Sequence, residues 1–157
     1  MIDMKMEAGT VRLDRTDVEI LKAVVSDARL SGRQIAQRVG VSTATVLTKI
    51  KALEREGIIK GYTATLDQEK LGYELTVITE ITVSKGKLLE IEKEIAKVPN
   101  VCAVYDITGT VDAMVVAKFK NRKELSDFTK TTLSMPFVER TNTHVVLTTL
   151  KEDYRLT

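Results

Sequence analysis

The sequence predicts an α+β protein, with a helical part over residues 1–66, a hinge over residues 67–72 and a βαββαβ part over residues 73–157. Three observations carry this prediction. In the first part, apolar residues recur at the spacing of helix turns. Beyond residue 73 they alternate as in strands, between which lie two further helical stretches. The intervening segment is polar and ends at Gly72, which is typical of a connection.

The first predicted helix begins at Asp14, whose short polar side chain suits an N-cap, and it runs to Val25. Acidic side chains follow in its first turns, where the helix dipole favours negative charge. The predicted core-facing stripe has the spacing i, i+3, i+7 and consists of Val18, Leu21 and Val25.

Two more helices follow, with a glycine turn between them. Ser31 with Gln34 three residues later forms a capping box, and Gly40 is placed to end that helix in a left-handed conformation. Ser42 caps the next helix, predicted over residues 43–56. Two short helices joined by a turn of about three residues that contains glycine form the helix-turn-helix pattern. The apolar residues that close it are Ile35, Ala36, Val39, Val41, Val46, Ile50 and Leu53.

Positive charge is concentrated in this pattern. Residues 29–63 carry seven basic side chains against two acidic ones, although the net charge of the whole chain is only +2. A basic face is typical of nucleic-acid binding. The third helix begins with polar, uncharged residues that suit the major groove, while basic residues hold the flanking phosphates. The predicted DNA-contacting residues are Arg33, Ser42, Thr43, Thr45, Thr48, Lys49, Lys51 and Arg55.

The second part has the order β-α-β-β-α-β, which is the ferredoxin-like unit. The strands are predicted at residues 73–83, 101–108, 111–119 and 141–150, and the helices at 87–98 and 122–134. Two helices cover only one face of such a sheet, yet Met114 and Val116 make the third strand apolar on its other face as well. We expect a partner to cover that face. A two-fold dimer is the simplest solution, and it presents two helix-turn-helix units to half-sites on DNA.

Composition disfavours several other classes of protein. One cysteine (Cys102) and one histidine (His144) cannot build a structural zinc site, and scarce histidine disfavours acid–base catalysis, so we expect no catalytic residue, no metal and no cofactor. Cys102 lies among apolar residues and is predicted to be buried. No apolar run is long enough to cross a membrane, and the acidic start does not fit a signal peptide. The expected localisation is cytoplasmic.

These motifs, in this order, resemble the Lrp/AsnC, or feast/famine, family of transcription regulators over about residues 12–152. In the first part the resemblance rests on Leu13-Asp14…Ile20-Leu21, on Ile35-Ala36…Val39-Gly40-Val41-Ser42 and on Val46…Ile50-Lys51-Ala52-Leu53-Glu54…Gly57-Ile58-Ile59-Lys60-Gly61-Tyr62. In the second part it rests on Gly109…Asp112 and on Val138-Glu-Arg-Thr-Asn-Thr143…Val146-Leu147…Lys151.

The resemblance implies a winged-type helix-turn-helix, a ligand-sensing domain, and dimers that assemble into tetramers or octamers. It also implies a small amino-acid effector bound between dimers, near the turn after the second strand. The effector-binding residues that it implies are Gly109, Thr110, Asp112, Thr141 and Thr143. Two positions depart from the family pattern. Lys49 stands where arginine is usual, and Pro136-Phe137 replaces Pro-Gly, so that a bulky ring is expected to reshape or block the effector pocket.

The sequence thus predicts a sequence-specific, non-enzymatic transcription regulator tuned by an amino acid. Its expected partners are double-stranded DNA, further copies of itself and the effector, with no membrane. One alternative is an architectural DNA-wrapping protein of low sequence specificity, which the hydroxyl-rich start of the third helix disfavours. Another is an amino-acid-binding or metabolic enzyme, which requires a reactive constellation that the sequence does not offer.

Overall fold

The computed structural model describes residues 12–84 and 86–155, which divide into two compact units. The first unit holds the described residues up to 65 together with residues 153–155, and the second holds residues 66–152. The sequence-based division had assigned residues 153–155 to the second part, and residues 1–11 of the predicted helical part lie outside the described chain. No described helix is both long enough and apolar enough to span a bilayer.

The first unit contains three helices, α1 (Arg15–Ser26), α2 (Gly32–Val39) and α3 (Thr43–Arg55). The three predicted N-caps are confirmed, because Asp14, Ser31 and Ser42 each accept a hydrogen bond from the backbone N–H three residues on. At the first two caps, the side chain of the residue three positions on also accepts a hydrogen bond from the backbone N–H of the cap residue, which completes a capping box. Among the described residues of this unit, the segment that follows α3 pairs with no strand.

The core of the first unit lies between the three helices. Its buried residues are Ile20, Ala23, Ile35, Ala36, Val46 and Leu53. The predicted α1 stripe was only partly right, because Leu21 packs against this core but Val18 is 36% exposed, and the buried positions of α1 are Ile20 and Ala23. Apolar residues occur on more than one stripe of α1, and spacing alone does not show which stripe meets the neighbouring helices.

The second unit is a four-stranded antiparallel sheet with the spatial order β2-β3-β1-β4. This confirms the ferredoxin-like topology. In chain order its elements are β1 (Leu75–Val83), α4 (Leu88–Ile95), β2 (Val101–Asp106), β3 (Ala113–Phe119), α5 (Arg122–Leu133) and β4 (Val138–Val145).

The core of the second unit lies on one face of the sheet, beneath α4 and α5. Alternate residues of β1 and β3 are buried there, as the period of a strand requires. Phe119 at the end of β3 meets Phe128 of α5 with ring centroids 5.2 Å apart, which anchors α5 on the sheet. The buried apolar residues are Val77, Ile81, Val83, Ile91, Ile95, Ala113, Val115, Ala117, Phe119 and Phe128.

The opposite face, here called the open face, carries the other set of alternate residues. One row across the strands consists of Ala103, Val116, Ile78 and His144. The next row consists of Tyr105, Met114, Glu80 and Asn142. The predicted second apolar face of β3, with Met114 and Val116, is therefore present, and both side chains keep partial exposure.

The last strand differs from its prediction at both ends. β4 begins at Val138 because the chain turns back into the sheet at Phe137, whose carbonyl accepts a hydrogen bond from Ser84. The final bond to β1 runs from Val146 N to Thr76 O at 2.9 Å. Beyond that point the regular part of β1 ends, so the apolar residues that follow have no strand to pair with.

Cys102 is exposed, which contradicts its predicted burial. The pairing of β2 with β3 shifts register between Val101 and Ala103, so Cys102 stands opposite no residue of β3. A bulge of this kind in an edge strand turns a side chain away from the regular alternation.

Candidate nucleic-acid and effector sites

The turn between α2 and α3 is held by backbone hydrogen bonds. Gly40 has a left-handed φ of 76°. Gly40 and Val41 both donate to the carbonyl of Ala36, at 2.9 and 3.2 Å. Ser42 then accepts from Thr45 N at 3.0 Å and so begins α3. Since glycine adopts this φ without strain, the sequence fixes the angle between the two helices.

Most of the predicted DNA-contacting side chains lie on exposed positions of the helix-turn-helix. The hydroxyls of Ser42 and Thr45 form a hydrogen bond with each other at 2.8 Å, at the start of α3. Arg55 pairs with its neighbour Glu56 at 3.2 Å, but the Arg55 side chain is 77% exposed, and such a pair is weak in water. The remaining exposed members of the set are Arg33, Thr43, Thr48 and Lys51.

Lys49 does not lie on this outward face, which corrects the expected orientation of its side chain on α3. Its Nζ contacts the carboxylates of Asp14 at 2.6 Å and Asp17 at 2.8 Å, and its side chain is only 23% exposed. The hydrogen bond to Asp14 raises the pKa of Lys49, and Lys49 in turn lowers the pKa of Asp14. Lys49 lies less than one turn after buried Val46, so it faces α1 and joins the two helices.

The predicted effector residues around the β2–β3 turn meet the end of β1. Asp112 Oδ2 accepts from Val83 N at 2.8 Å, and Asp112 N donates to Ile81 O at 3.0 Å. Asp112 therefore fastens the hairpin to β1. Gly109 and Thr110 lie exposed in the same turn, and Gly109 has a φ of 132°.

The two threonines predicted for the effector site lie on β4. Thr141 pairs with Ile81 on one side of β1, and the carbonyl of Ile81 accepts from the backbone N–H of Asp112 on the other side. Thr141 and Asp112 are therefore about 10 Å apart, which is twice the spacing between neighbouring strands. Thr143 lies two residues further along β4, and its Oγ1 is 3.0 Å from Oγ1 of buried Thr79. The structure thus brings the hairpin turn and Thr141 to one end of the sheet, while the Thr143 hydroxyl is bonded within the core.

Phe137 lies at this same end of the sheet. Its carbonyl accepts from Ser84 N at 2.9 Å, one residue beyond the Val83 N–H that binds Asp112. It is the one described non-glycine residue with a positive φ, 73°. Lys87 Nζ lies 5.2 Å from the centre of the phenyl ring. The sequence pattern gave no reason to single out Lys87, because this contact depends on the turn geometry.

Sequence reasoning also missed a polar cluster on the open face. Asn142 Nδ2 donates to Glu80 Oε2 at 3.0 Å and lies 3.1 Å from His144 Nε2. His144 Nε2 is 3.6 Å from Glu80 Oε1. The hydrogen bond from Asn142 lowers the pKa of Glu80, which therefore stays charged on this face. The cluster requires the register of β1 with β4, which the sequence does not specify.

Comparison with known proteins agrees with both units. Residues 13–60 match the family model described as winged helix-turn-helix DNA-binding, and residues 76–156 match the Lrp/AsnC ligand binding domain. An uncharacterized HTH-type transcriptional regulator of Pyrococcus furiosus is 46% identical over 93% of this chain and 99% of its own length. The HTH-type transcriptional regulator FL11 of Pyrococcus horikoshii is 36% identical over 93% and 97% of the two chains.

Among solved structures, a transcriptional regulator of Neisseria meningitidis in complex with L-Met superposes with a TM-score of 0.84. It is 28% identical, and the match covers 93% of this chain and 97% of the other. The fold and these matches define a transcription regulator with a DNA-binding helix-turn-helix and a ligand-binding domain. The chain belongs to the Lrp/AsnC family.

Proposed function

We propose that this chain is a sequence-specific regulator that binds DNA as a symmetric oligomer and whose DNA affinity or assembly is set by an amino-acid effector. The observation that carries the proposal is the exposed face of α3. It begins with hydroxyl side chains and ends with Lys51 and Arg55, on a helix whose orientation is fixed by the Gly40 turn. Hydroxyls reach base edges and phosphates, and basic side chains neutralise phosphates.

The proposed phosphate contacts differ from the set that charge alone suggested. Lys51, Arg55 and Arg33 are exposed, whereas the Lys49 ammonium is bonded to two carboxylates of α1. Each basic side chain that contacts a phosphate adds about 1 to the slope of log affinity against log salt concentration. Replacing that side chain by alanine lowers the slope by the same amount. Lys51 and Arg55 therefore contribute to the slope, and Lys49 acts through the position of α3 instead.

The test is a salt titration of binding to the DNA upstream of the chain's own gene. We expect Lys51→Ala with Arg55→Ala to lower the salt slope by about 2. Lys93→Ala, an exposed change on α4, is the matched control and leaves the slope unchanged. An unchanged slope in the double variant would show that α3 does not face the DNA. Equal affinity for an unrelated duplex at the same salt would favour the architectural alternative.

Symmetry is proposed from the open face. It carries Ile78, Val116, Met114 and Tyr105, over which no helix of the described residues lies, and Tyr105 is 45% exposed. A second copy that covers this face buries the apolar rows of both chains. It also provides two α3 helices for two half-sites, which is how helix-turn-helix dimers read DNA.

The effector is proposed for the end of the sheet where Asp112, Thr141 and the exposed Gly109 turn meet. A carboxylate can accept from an ammonium group, and glycine lets backbone N–H groups approach a carboxylate. The L-Met complex of the Neisseria relative supports an amino acid as the ligand class. Such a ligand shifts assembly or DNA affinity only if it binds two states of the protein differently.

A thermal-shift screen of the twenty amino acids tests the effector. A ligand that binds only the native state at a hundred times its Kd stabilises it by about 2.7 kcal/mol, which is a measurable rise in Tm. We expect the rise to be lost in Asp112→Asn and kept in Glu90→Gln, an exposed change on α4. No shift with any of the twenty contradicts an amino-acid effector and leaves the DNA-binding proposal standing.

A further inference from the structure

Leu47 is a large apolar side chain that lies exposed near the start of α3. It is 49% exposed, although its neighbour Val46 is fully buried. The buried residues of α3 are Val46 and Leu53, so the core of the first unit does not account for the position of Leu47. Covering its exposed half with another apolar group is favourable, because apolar surface is stabilised when it leaves water.

The first residue of α2 supports Leu47 from one side. A Cβ atom at Gly32 would lie 3.1 Å from Leu47 Cδ2 and 3.6 Å from Thr43 Cγ2, so both side chains rest on the glycine. Ser31, the N-cap of α2, fixes this end of the helix through its capping box. Leu47 is thus held before DNA arrives, and a side chain that is already ordered loses less entropy on binding.

Leu47 belongs to an exposed row of α3 side chains. Ala44 lies three residues before it and Lys51 four residues after it, so the three are neighbours on the helix surface, and all are exposed. Ala44 adds a methyl group to the apolar surface of Leu47, and Lys51 is a proposed phosphate contact. The row therefore places apolar surface at the N-terminal end of α3, which is the end of a recognition helix that contacts base edges in the major groove.

Several polar side chains of the same turns are already bonded within the protein. Ser42 Oγ accepts from Thr45 N at 3.0 Å and lies 2.8 Å from Thr45 Oγ1. The Lys49 ammonium is bonded to two carboxylates of α1. Residues 42–50 include no arginine, asparagine or glutamine, the side chains that bind guanine or adenine through two hydrogen bonds. The start of α3 therefore offers apolar surface but no free side chain for bidentate contact with a purine.

We propose that Leu47 is a specificity-determining residue that recognises the 5-methyl group of thymine in the major groove. This inference rests on the proposed DNA-binding function and names the base chemistry that α3 reads. The thymine methyl is the apolar group that the major-groove edges of unmodified base pairs display, and apolar side chains contact it. Leu47, with Ala44 beside it, covers this methyl, and the contact removes apolar surface of both partners from water.

A cycle of changes in both the DNA and the protein tests this contact. Selection from a random pool of duplexes with the full-length native chain first isolates a bound sequence. That duplex is then synthesised with thymidine or with deoxyuridine throughout, which removes the methyl groups and keeps the base pairs. A buried methyl group changes an equilibrium constant about fourfold, and a symmetric site repeats the contact. We therefore expect the native chain to bind the deoxyuridine duplex about tenfold more weakly.

Leu47→Ala provides the protein half of the cycle. We expect this variant to bind the thymidine duplex about tenfold more weakly than the native chain does, and to bind the two duplexes with affinities that agree within about twofold. Alanine favours the helix, so α3 is kept, and an unchanged slope of log affinity against log salt shows that the phosphate contacts are kept as well. Leu89→Ala, at an exposed position of α4, is the matched control and distinguishes the duplexes as the native chain does.

The outcomes separate this inference from the proposed function. Equal binding of the native chain to both duplexes overturns the inference and leaves sequence-specific binding in place. If Leu47→Ala distinguishes the duplexes as strongly as the native chain does, the methyl groups act through duplex shape or another side chain, and the role of Leu47 is overturned. If the selection enriches no sequence, sequence-specific binding fails and this inference fails with it.

Discussion

Phe137 occupies a backbone conformation that is unfavourable for a bulky residue. Its φ of 73° lies in the left-handed region, where an L side chain costs about 1–2 kcal/mol relative to glycine. The Lys87 ammonium over the ring stabilises this turn by about 0.5–1 kcal/mol, which is the usual size of an exposed cation–π contact. The two effects partly cancel, so the turn tolerates the ring.

Comparison of two substitutions separates the backbone strain from the contact with the ring. Phe137→Ala and Phe137→Gly both remove the ring, but only glycine relieves the left-handed φ. Glycine has greater freedom in the unfolded chain, which costs about 0.4–1 kcal/mol. We therefore expect Phe137→Gly to be more stable than Phe137→Ala by about 0.5–1 kcal/mol in urea denaturation. At Leu89 in α4 we expect the opposite order, with Leu89→Gly less stable than Leu89→Ala. Equal stabilities of Phe137→Gly and Phe137→Ala would argue against backbone strain at Phe137.

Lys49 shows how a single residue couples stability to pH. The pKa of Asp14 is lowered from 3.8 by its hydrogen bond to Lys49, so this pair stabilises the fold above pH 3.8 and loses its effect as the pH falls through the lowered value. The pKa of Lys49 is raised from 10.5, so its contribution is complete below pH 10.5 and is lost as the pH rises through the raised value.

Lys49→Met tests this coupling. We expect the difference in Tm between the native chain and the variant to be constant near neutral pH. It should shrink as the pH falls below 3.8 and again as it rises above 10.5, because the native pair then loses one of its charges. Lys123→Met, which removes an exposed pair with Asp127 within α5, provides a comparison for an ordinary surface pair. A pH-independent difference would contradict this role of Lys49.

At the scale of the element, the start of α3 depends on one side chain. Ser42 accepts from Thr45 N at 3.0 Å and satisfies a backbone donor that the helix itself leaves unpaired. Replacing a serine N-cap by alanine costs about 1 kcal/mol. We expect Ser42→Ala to lose that stability in denaturant unfolding and Ser42→Asn to retain most of it. If both variants lose the same amount, the hydrogen bond of the cap is not the cause.

The helices of the first unit were predictable because their signals are local. Asp14, Ser31 and Ser42 mark the helix starts, and Gly40 ends α2 with the expected left-handed φ. The buried face of α1 was not predictable in the same way. It depends on which of several apolar stripes meets α2 and α3, and this is a property of packing.

The last strand illustrates the corresponding limit for the sheet. The run from Val145 to Leu150 has the composition of a strand, but a strand needs a neighbour to pair with. β1 begins at Leu75, so pairing stops at Val146 and the leucines become exposed. The same argument applies to the Glu80–Asn142–His144 cluster, which exists only through the register of two strands that are distant in sequence.

At the scale of the whole molecule, the open face predicts dependence on a second copy. Ile78 lies in the middle of its first apolar row, between Val116 and His144. We expect Ile78→Glu to leave the secondary structure intact but to make the chain monomeric in sedimentation equilibrium. Loss of the second DNA contact should then weaken DNA binding at least about a hundredfold. Leu89→Glu on the outer side of α4 should remain dimeric, and a dimeric Ile78→Glu would show that another surface pairs the chains.

The hydrogen bond that Asp112 makes within the sheet affects how the sheet would respond to an effector. One of its carboxylate oxygens already accepts from Val83 N, which ties the hairpin to the last residue of β1. An ammonium group that takes only the second oxygen leaves that tie intact and adds to its rigidity. A ligand that requires both oxygens must release Val83 first, and Ser84, the next residue, supports the Phe137 turn. The number of carboxylate oxygens that a ligand recruits therefore determines whether it stiffens this corner of the sheet or loosens it.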